Sequence, residues 1–589
     1  MSRRSRAACW ALSARVVSSR ARSVGPAASR RRSSSLSAIS SRSRPWCSWH
    51  SYTRSGRSRP SPRPGSGGEL GPRTWFGLAG CASSAEPLAS RGLILCVIDS
   101  LRPDALARAV ATGAAPTLAA LVRESDGIHP LVSVFPSLTP AAAATIATGA
   151  PVADHAIPSI NWYARDEGRY VEYGTSLAAA RVFGVLRVLT DTVYELNLAH
   201  LSRRVTTVFE QLEDHGIRTA CSTYLVFRGR HRHEPVVGPG LARIATTTHF
   251  RHAVWGPAEL FYADLFASRP LPCTSLLGLP GRRDPHSACV AEHLVHADAF
   301  DFLLLSLPDT DTRSHRLGPG GQVAALASAD RALARVVAAA GGFASLLERY
   351  AIVVCSDHGQ SAVRATIDLV SALDGLRVLR PNDPDPDLAE VAVSPGGRAA
   401  MVYILESDGR RRHRVQRELR RRLCALPGVR FVAYKESDEV VVASATAELR
   451  FAPGSEFRDE FGASWALEGD GGALSLERSG DTVRSARNPD ALARLWSALA
   501  APTTGDLVVC AEPGYEFVDW GGASHVGGGS HGGLDREDSL GVLVAAGLDR
   551  DLPRPPGGRR DNQPLRDARR LRDVAALVTR HFEIADGAR

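Results

Sequence analysis

Short apolar runs that end abruptly in polar residues organise the chain. Residues 93–98 (LILCVI), 301–307 (DFLLLSL) and 350–355 (YAIVVC) read as strands. Each leads into a group capable of chemistry: Asp99 after the first, Asp311 and His315 after the second, and Ser356, Asp357 and His358 after the third. Ligands bind outside the carboxyl ends of strands in open parallel sheets, so these segments predict one site built from distant parts of the chain. Residues 102–112 and 115–123 predict helices, the second opened by Pro116. Residues 131–135 (LVSVF) predict another strand, and the helix-forming run AAAATIAT after it stops at Gly149.

A different texture fills residues 391–501. It has a strand-like AAMVYIL, a basic helix over 414–426, a strand over 429–434, the alternating Glu439-Val-Val-Val-Ala443 and a strand-like GALSLER. The expected fold is therefore α/β, with a mainly parallel central sheet flanked by helices over 89–390 and 502–589. An α+β subdomain at 391–501 is expected as a cap beside the site. At 589 residues the chain is long enough for such a large core with an insertion.

Charge changes the picture at the amino terminus. The formal net charge is +9, but the first 68 residues hold 15 arginines and no acidic residue, so the remainder carries 9 − 15 = −6. A basic pI is thus no argument for a nucleic-acid partner. Residues 1–88 are expected to be disordered or a non-native extension from an over-long reading frame; a transit peptide is the alternative. Leu78-Ala79-Gly80-Cys81 has the look of a lipoprotein box behind too short a leader. No stretch approaches the roughly 20 apolar residues of a membrane span. Ten cysteines without C-x-x-C predict neither a disulfide framework nor a zinc knuckle. A cytoplasmic location is expected, with export or organelle targeting through the extension as the alternative.

Asp99, Asp311, His315, Asp357, His358 and His531 supply the carboxylate oxygens and imidazole nitrogens that two zinc-like divalent cations could share. Thr139 precedes Pro140 at a helix start, where backbone N–H groups and the helix dipole favour a phosphoryl oxyanion. Each has an ordinary reading on its own. Thr139 and Asp99 could be helix caps, Asp357 and His358 turn residues, and His531 part of a flexible loop (GGGSHGG).

Order and spacing together carry more. The chain resembles the alkaline phosphatase superfamily, and within it the type I phosphodiesterase/nucleotide pyrophosphatase branch. VIDSLRPD matches the first metal-binding Asp, and Phe135-Pro136-Ser137-Leu138-Thr139 with Thr148-Gly149 matches the nucleophile segment. Thr310-Asp311-Thr312-Arg313-Ser314-His315-Arg316-Leu317-Gly318-Pro319 approximates the family's P-D-x-x-G-H-x-x-G-P, while Ser356-Asp357-His358-Gly359 and Gly529-Ser530-His531-Gly532 match its later motifs. The resemblance implies that Asp311, His315 and His531 hold one zinc, that Asp99, Asp357 and His358 hold the other, and that Thr139 is the nucleophile. It further implies a phospho-threonine intermediate hydrolysed by water, with a small phosphate ester as substrate.

Several positions depart from that pattern. The branch usually carries Asn-His where this chain has Ala142 and Ala143, which removes a phosphoryl-oxygen donor; Asn161 and Arg313 are candidate replacements. Ser137 is a runner-up nucleophile. Trp162, Tyr163 and Tyr224 could stack on a flat leaving group or simply pack. His231 and His233 read as a surface loop rather than an extra metal pair, and the arginines around 410–414 and 420–422 as a solvated helix face. A phosphomonoesterase, a phosphonate hydrolase and a metal-loaded binding protein without turnover remain alternatives. Oligomeric state is not written in the sequence.

Overall fold

Gly92–Ile98 lies near the centre of a nine-stranded sheet. In a computed structural model that describes residues 91–236, 252–548 and 569–584, the strand order is Arg569–Arg570, His129–Val132, Leu540–Ala546, Tyr350–Cys355, Gly92–Ile98, Phe302–Leu307, Thr219–Ser222, Glu259–Tyr262 and Phe266–Ala267. The five strands from Tyr350–Cys355 to Glu259–Tyr262 are mutually parallel. Leu540–Ala546 and Phe266–Ala267 run against their neighbours. The sheet is thus mixed but mainly parallel. The expected extension over 1–88, with its 78–81 box, lies outside the described residues.

Alternation along the central strands feeds two cores. Ile94, Cys96, Ile98, Leu303, Leu305, Ile352 and Val354 face the helices Pro103–Ala111, Pro116–Arg123, Arg283–His296 and Gln322–Ala339. Leu93, Leu95, Val97, Leu304 and Val353 face the other way, towards Ile146 of the helix Thr139–Thr148. That helix is buried from Pro140 to Thr148, which explains its run of alanines: a helix enclosed on all sides has room only for small side chains. Gly149 ends it at φ 66°.

Residues 391–511 build a second sheet. Its path is Val391–Gly396, Ala399–Ile404, Leu507–Ala511, Val429–Glu436, Glu439–Ala443, Glu448–Arg458, Thr482–Arg484 and Glu477–Ser479, with Ser464–Gly469 paired to Glu448–Arg458. The basic helix spans Gly409–Cys424, starting earlier than 414 because the Asp408 side chain caps it at Arg411 N. Only Leu419 and Leu423 are buried, and Arg412, Arg420 and Arg422 pair with Asp506, Glu448 and Glu418 of this chain. The hydrophobic cluster containing Leu93 continues into Met401, Phe431 and Val442 of this sheet.

Three local expectations need correction. The strand expected at 131–135 is His129–Val132. GALSLER is no single strand: Asp470 accepts from Gly472 N and caps a short 3-10 turn, Gly471–Leu474, before the strand Glu477–Ser479. His231–His233 is a short strand paired to Val254–Gly256 rather than a loop. Cysteine spacing also hid a disulfide, Cys273–Cys289; its partners meet only because the chain folds back before the helix Arg283–His296. Among the described residues no single helix is long and apolar enough to cross a membrane.

Candidate active site

Three adjacent strands deliver three motifs to one edge. Ile98 pairs with Leu307 and Val97 with Cys355, so Asp99, the Pro308–His315 segment and Ser356–His358 leave the sheet side by side. Asp311 and His315 sit one turn apart on the helix Asp309–Leu317. His531 arrives from a late loop that follows the two-residue strand Gly529–Ser530.

Gly528 and Gly529 of that loop serve close approach. A Cβ on Gly528 would lie 1.9 Å from the His315 carbonyl oxygen, so only glycine lets the loop pass. From the second sheet, the Arg398 N–H donates to the His531 carbonyl at 2.8 Å, while the buried Arg398 guanidinium pairs with Asp535 at 3.1 Å and Asp538 at 2.5 Å. The second sheet thus braces His531 from behind; no residue of 391–501 lines the cavity in front of it.

The six ligand candidates gather as two triads, Asp311/His315/His531 and Asp99/Asp357/His358. Rings from both triads, His358 and His531, stack at 3.8 Å, so the two groups adjoin. All three imidazoles are oriented alike. Nδ1 of His315, His358 and His531 lies 2.8, 2.9 and 2.9 Å from the carbonyl oxygens of Gly529, Gly359 and Ser137. A carbonyl can only accept, so Nδ1 carries the proton and Nε2 keeps its lone pair for a ligand. His358 Nε2 faces Asp357 Oδ2 at 3.3 Å and Asp99 Oδ1 at 3.6 Å. His315 Nε2 is 3.2 Å from Asp311 Oδ2, and His531 Nε2 is 3.8 Å from Asp311 Oδ1.

Oxygen and nitrogen lone pairs that converge at these distances suit cations. Asp99 Oδ1 is buried with no hydrogen-bond partner. Burial first, then the Asp357 and Asp311 carboxylates, push Asp99 well above the usual carboxylate range. Burial likewise lifts Asp357 to about 6, opposed by the Ser100 N–H it accepts. Burial lowers His358 to about 4, and burial with the neighbouring His358 ring lowers His531 to about 3. Burial opposes protonation of His315, but the Asp311 carboxylate outweighs it and raises His315; in return, against its own burial, Asp311 is held low by His315, His531 and His358. The donor set suits a divalent cation in each triad.

Thr139 is the first residue of its helix, with Leu138 at the N-cap, so its side chain is not spent on capping. Its Oγ1 lies 3.1 Å from His358 Nε2, against the buried triad. Ser137, the runner-up, is enclosed: its Oγ donates to the Gly533 carbonyl at 2.8 Å and accepts from Gly532 N at 3.2 Å, fastening the His531 loop.

The candidate donors Asn161 and Arg313 are not brought to this cavity wall. Asn161 Nδ2 donates to the Val171 carbonyl and to Glu172 Oε2 inside a hairpin, spending both its hydrogens. Arg283 and Arg316 bring guanidinium groups to the wall instead; Arg283 is bonded to Asp309 at 3.0 Å and to Thr312, and it lowers Asp99. Nothing in the local sequence marks it. His525 was missed too: its ring lies 4.1 Å from that of His315, and Nδ1 meets Glu516 at 3.0 Å. Ala142 is buried in the helix and Ala143 lines the cavity, its carbonyl accepting from Tyr224. Of the three candidate stacking rings only Tyr224 reaches the wall; Trp162 packs on His200, and Tyr163 on Tyr170 and Tyr403. His231 and His233 stand elsewhere, beside Glu213 and the Pro257 carbonyl.

No curated protein sequence matches the chain. Among solved structures it is similar to phosphonoacetate hydrolase from Sinorhizobium meliloti 1021, at 17% identity and a TM-score of 0.46, covering 84% of this chain and 96% of that one. It is also similar to murine ectonucleotide pyrophosphatase/phosphodiesterase 5, at 12% identity and a TM-score of 0.49, covering 85% and 96%. The type I phosphodiesterase/nucleotide pyrophosphatase family model matches residues 93–534. The chain belongs to this family and is a hydrolase acting on phosphoric ester or anhydride bonds.

Proposed function

We propose that the protein hydrolyses phosphodiester or pyrophosphate bonds through a phospho-threonine intermediate on Thr139, with two zinc ions held by Asp311/His315/His531 and Asp99/Asp357/His358. The observation that carries this reading is the Thr139 Oγ1 placed 3.1 Å from His358 Nε2, where hydroxyl and ligand lone pairs reach one point. Bound there, divalent cations supply Lewis-acid charge that stabilises an alkoxide and the developing charge at phosphorus.

The chain's own groups do the rest. The carbonyls of Gly529, Gly359 and Ser137 hold the imidazoles in one tautomer. Thr139 attacks phosphorus, the bond to the first leaving oxygen breaks, and that oxygen departs with a proton. Water then attacks the phospho-threonine, returning the Thr139 hydroxyl and releasing the phosphoryl product. Arg283, fixed by Asp309, and Arg316 are the cations in the cavity wall that attract the anionic substrate. In the same reading, 89–390 with 502–589 form the catalytic core and 391–501 an insertion that steadies His531 through Arg398.

The test is hydrolysis of bis(4-nitrophenyl) phosphate against 4-nitrophenyl phosphate, with chelator, with added zinc and with Thr139→Ala. Diester turnover that needs both metal and Thr139 is expected. Preference for the monoester would move the protein to phosphatase chemistry, and turnover indifferent to chelation would overturn the metal assignment.

A further inference from the structure

The cavity over the two triads has a volume of about 1100 Å³, and its charged groups gather around the triads. Every acidic, basic or imidazole side chain in its wall belongs to the metal-ligand segments or adjoins them: Asp99, Asp311, His315, Arg316, Asp357 and His531, with Arg283 tied to Thr312 and His525 against His315. The rest of the wall carries no charge: Ile160, Val188, Val193, Leu225 and Leu265 line it, and among the hydroxyls between them Ser176 is committed to Asp519 and Thr192 to the Val188 carbonyl.

The aliphatic wall continues onto the surface. Val185, Leu186 and Leu189 line the cavity yet are 45%, 40% and 39% exposed, as are Leu277 at 50% and Val526 at 54%. They come from three separate segments that meet only here. Apolar side chains left in water around one mouth mark a surface kept for an apolar ligand. The helix Val185–Thr190 is not merely loose: Val188 is buried, and Asp191 at its end accepts from the Glu172 N–H at 3.2 Å and pairs with Arg169 at 3.1 Å. Its inner side is fixed and its apolar side faces the opening.

A nucleobase would need a free aromatic face and polar partners for its edge. The wall's tyrosines Tyr173, Tyr224 and Tyr262 are all buried, and the hydroxyls of the first two are committed to His200 and the Ala143 carbonyl. Resting on the phosphodiesterase reading above, we infer that the apolar arm of the cavity binds a long hydrocarbon chain. The preferred substrate is then an amphiphilic phosphodiester, its phosphate over the triads and its acyl or alkyl arm along Val185, Leu186 and Leu189. Such a chain has two sources, a dispersed amphiphile and a lipid drawn from a membrane surface, and the chemistry recognised is the same.

The experiment uses 4-nitrophenyl alkyl phosphates with methyl, butyl, octyl and dodecyl arms, all below their aggregation threshold. Each buried methylene is expected to raise kcat/KM by up to ~4-fold until the arm is filled. Leu186→Gln/Leu189→Gln should flatten that series, lowering the dodecyl-to-methyl ratio by at least ~10-fold. Alkylphosphonates of the same lengths, titrated by calorimetry, give a readout that does not depend on turnover. The dodecyl ester presented in phosphatidylcholine vesicles then separates the sources: faster turnover than the monomer identifies a membrane lipid, slower turnover a dispersed amphiphile. A rate and an affinity indifferent to chain length, or a rise that the double variant keeps, would overturn the inference. Failure of the parent reading is distinct, because bis(4-nitrophenyl) phosphate would then also be inert, or Thr139→Ala would turn it over as fast as the native protein.

Discussion

The two triads are made of similar atoms in unlike surroundings. Asp99, Asp357 and His358 are buried, leave the ends of two adjacent central strands, and bring two carboxylates to one imidazole. Asp311, His315 and His531 bring one carboxylate to two imidazoles, and Asp311 and His315 are only half-buried. One of their three ligands hangs on a loop held by outside contacts. The difference teaches a division of labour. The triad beside Thr139 is set by two adjacent strand ends, whereas the other, more open one depends on a helix and on a loop fastened from outside, although both line the cavity.

The largest expected effect comes from removing the group that distinguishes the first triad. Thr139→Ala should lower turnover by at least ~10³-fold while metal analysis still finds both ions, since the hydroxyl is not needed to hold them. Loss of metal in that variant would merge nucleophile and ligand and dissolve the distinction.

Next come single ligand deletions. Asp357→Ala should release the inner cation and stay inactive in excess zinc, because it leaves a buried site short of charge. His315→Ala should cost affinity by more than the ~10–100-fold typical of outer partners but recover activity as zinc is added. Equal rescue of both variants would show that burial does not separate the triads.

Acidification gives a third comparison. Metal binding needs ionised carboxylates and neutral imidazoles, so the metal-loaded state binds fewer protons and affinity falls as pH falls. Asp99 is raised well above its usual range and Asp357 to about 6, so the buried triad must shed two protons; in the open triad only His315 is raised. Zinc affinity measured by chelator competition between about pH 7 and about pH 5 should therefore drop more steeply for the buried site. Matching slopes would contradict these proton inventories.

The smallest effect concerns the loop. Ser137→Ala removes the bonds to Gly532 and Gly533 while leaving the carbonyl that receives His531. It should weaken zinc at the open triad by ~10-fold and leave the buried triad unchanged, as read by titration with a colorimetric chelator.

Much of this was legible because spacing encodes it. Strands 93–98, 301–307 and 350–355 were readable as apolar runs, and the residues just past them are the ones the sheet brings together. Arg283 and His525 were not legible. Each reaches the cavity from a segment whose own sequence has no periodic or motif signal, and their neighbours Thr312 and His315 are distant in sequence. Asn161 misled for the converse reason: it stands in a suggestive segment, but its hairpin partner Glu172 consumes its amide.

Local pattern thus determined which elements exist and which groups stand at their ends, since burial and period act over a few residues. Only tertiary structure decided what those groups face. That the glycine-rich loop presses against His315, that Ser137 fastens the His531 loop, that Cys273 meets Cys289, and that five exposed aliphatic side chains from three segments ring one mouth depend on contacts across the chain. Packing, not sequence distance, sets those contacts, because a buried polar or apolar surface must find its partner wherever the fold places it.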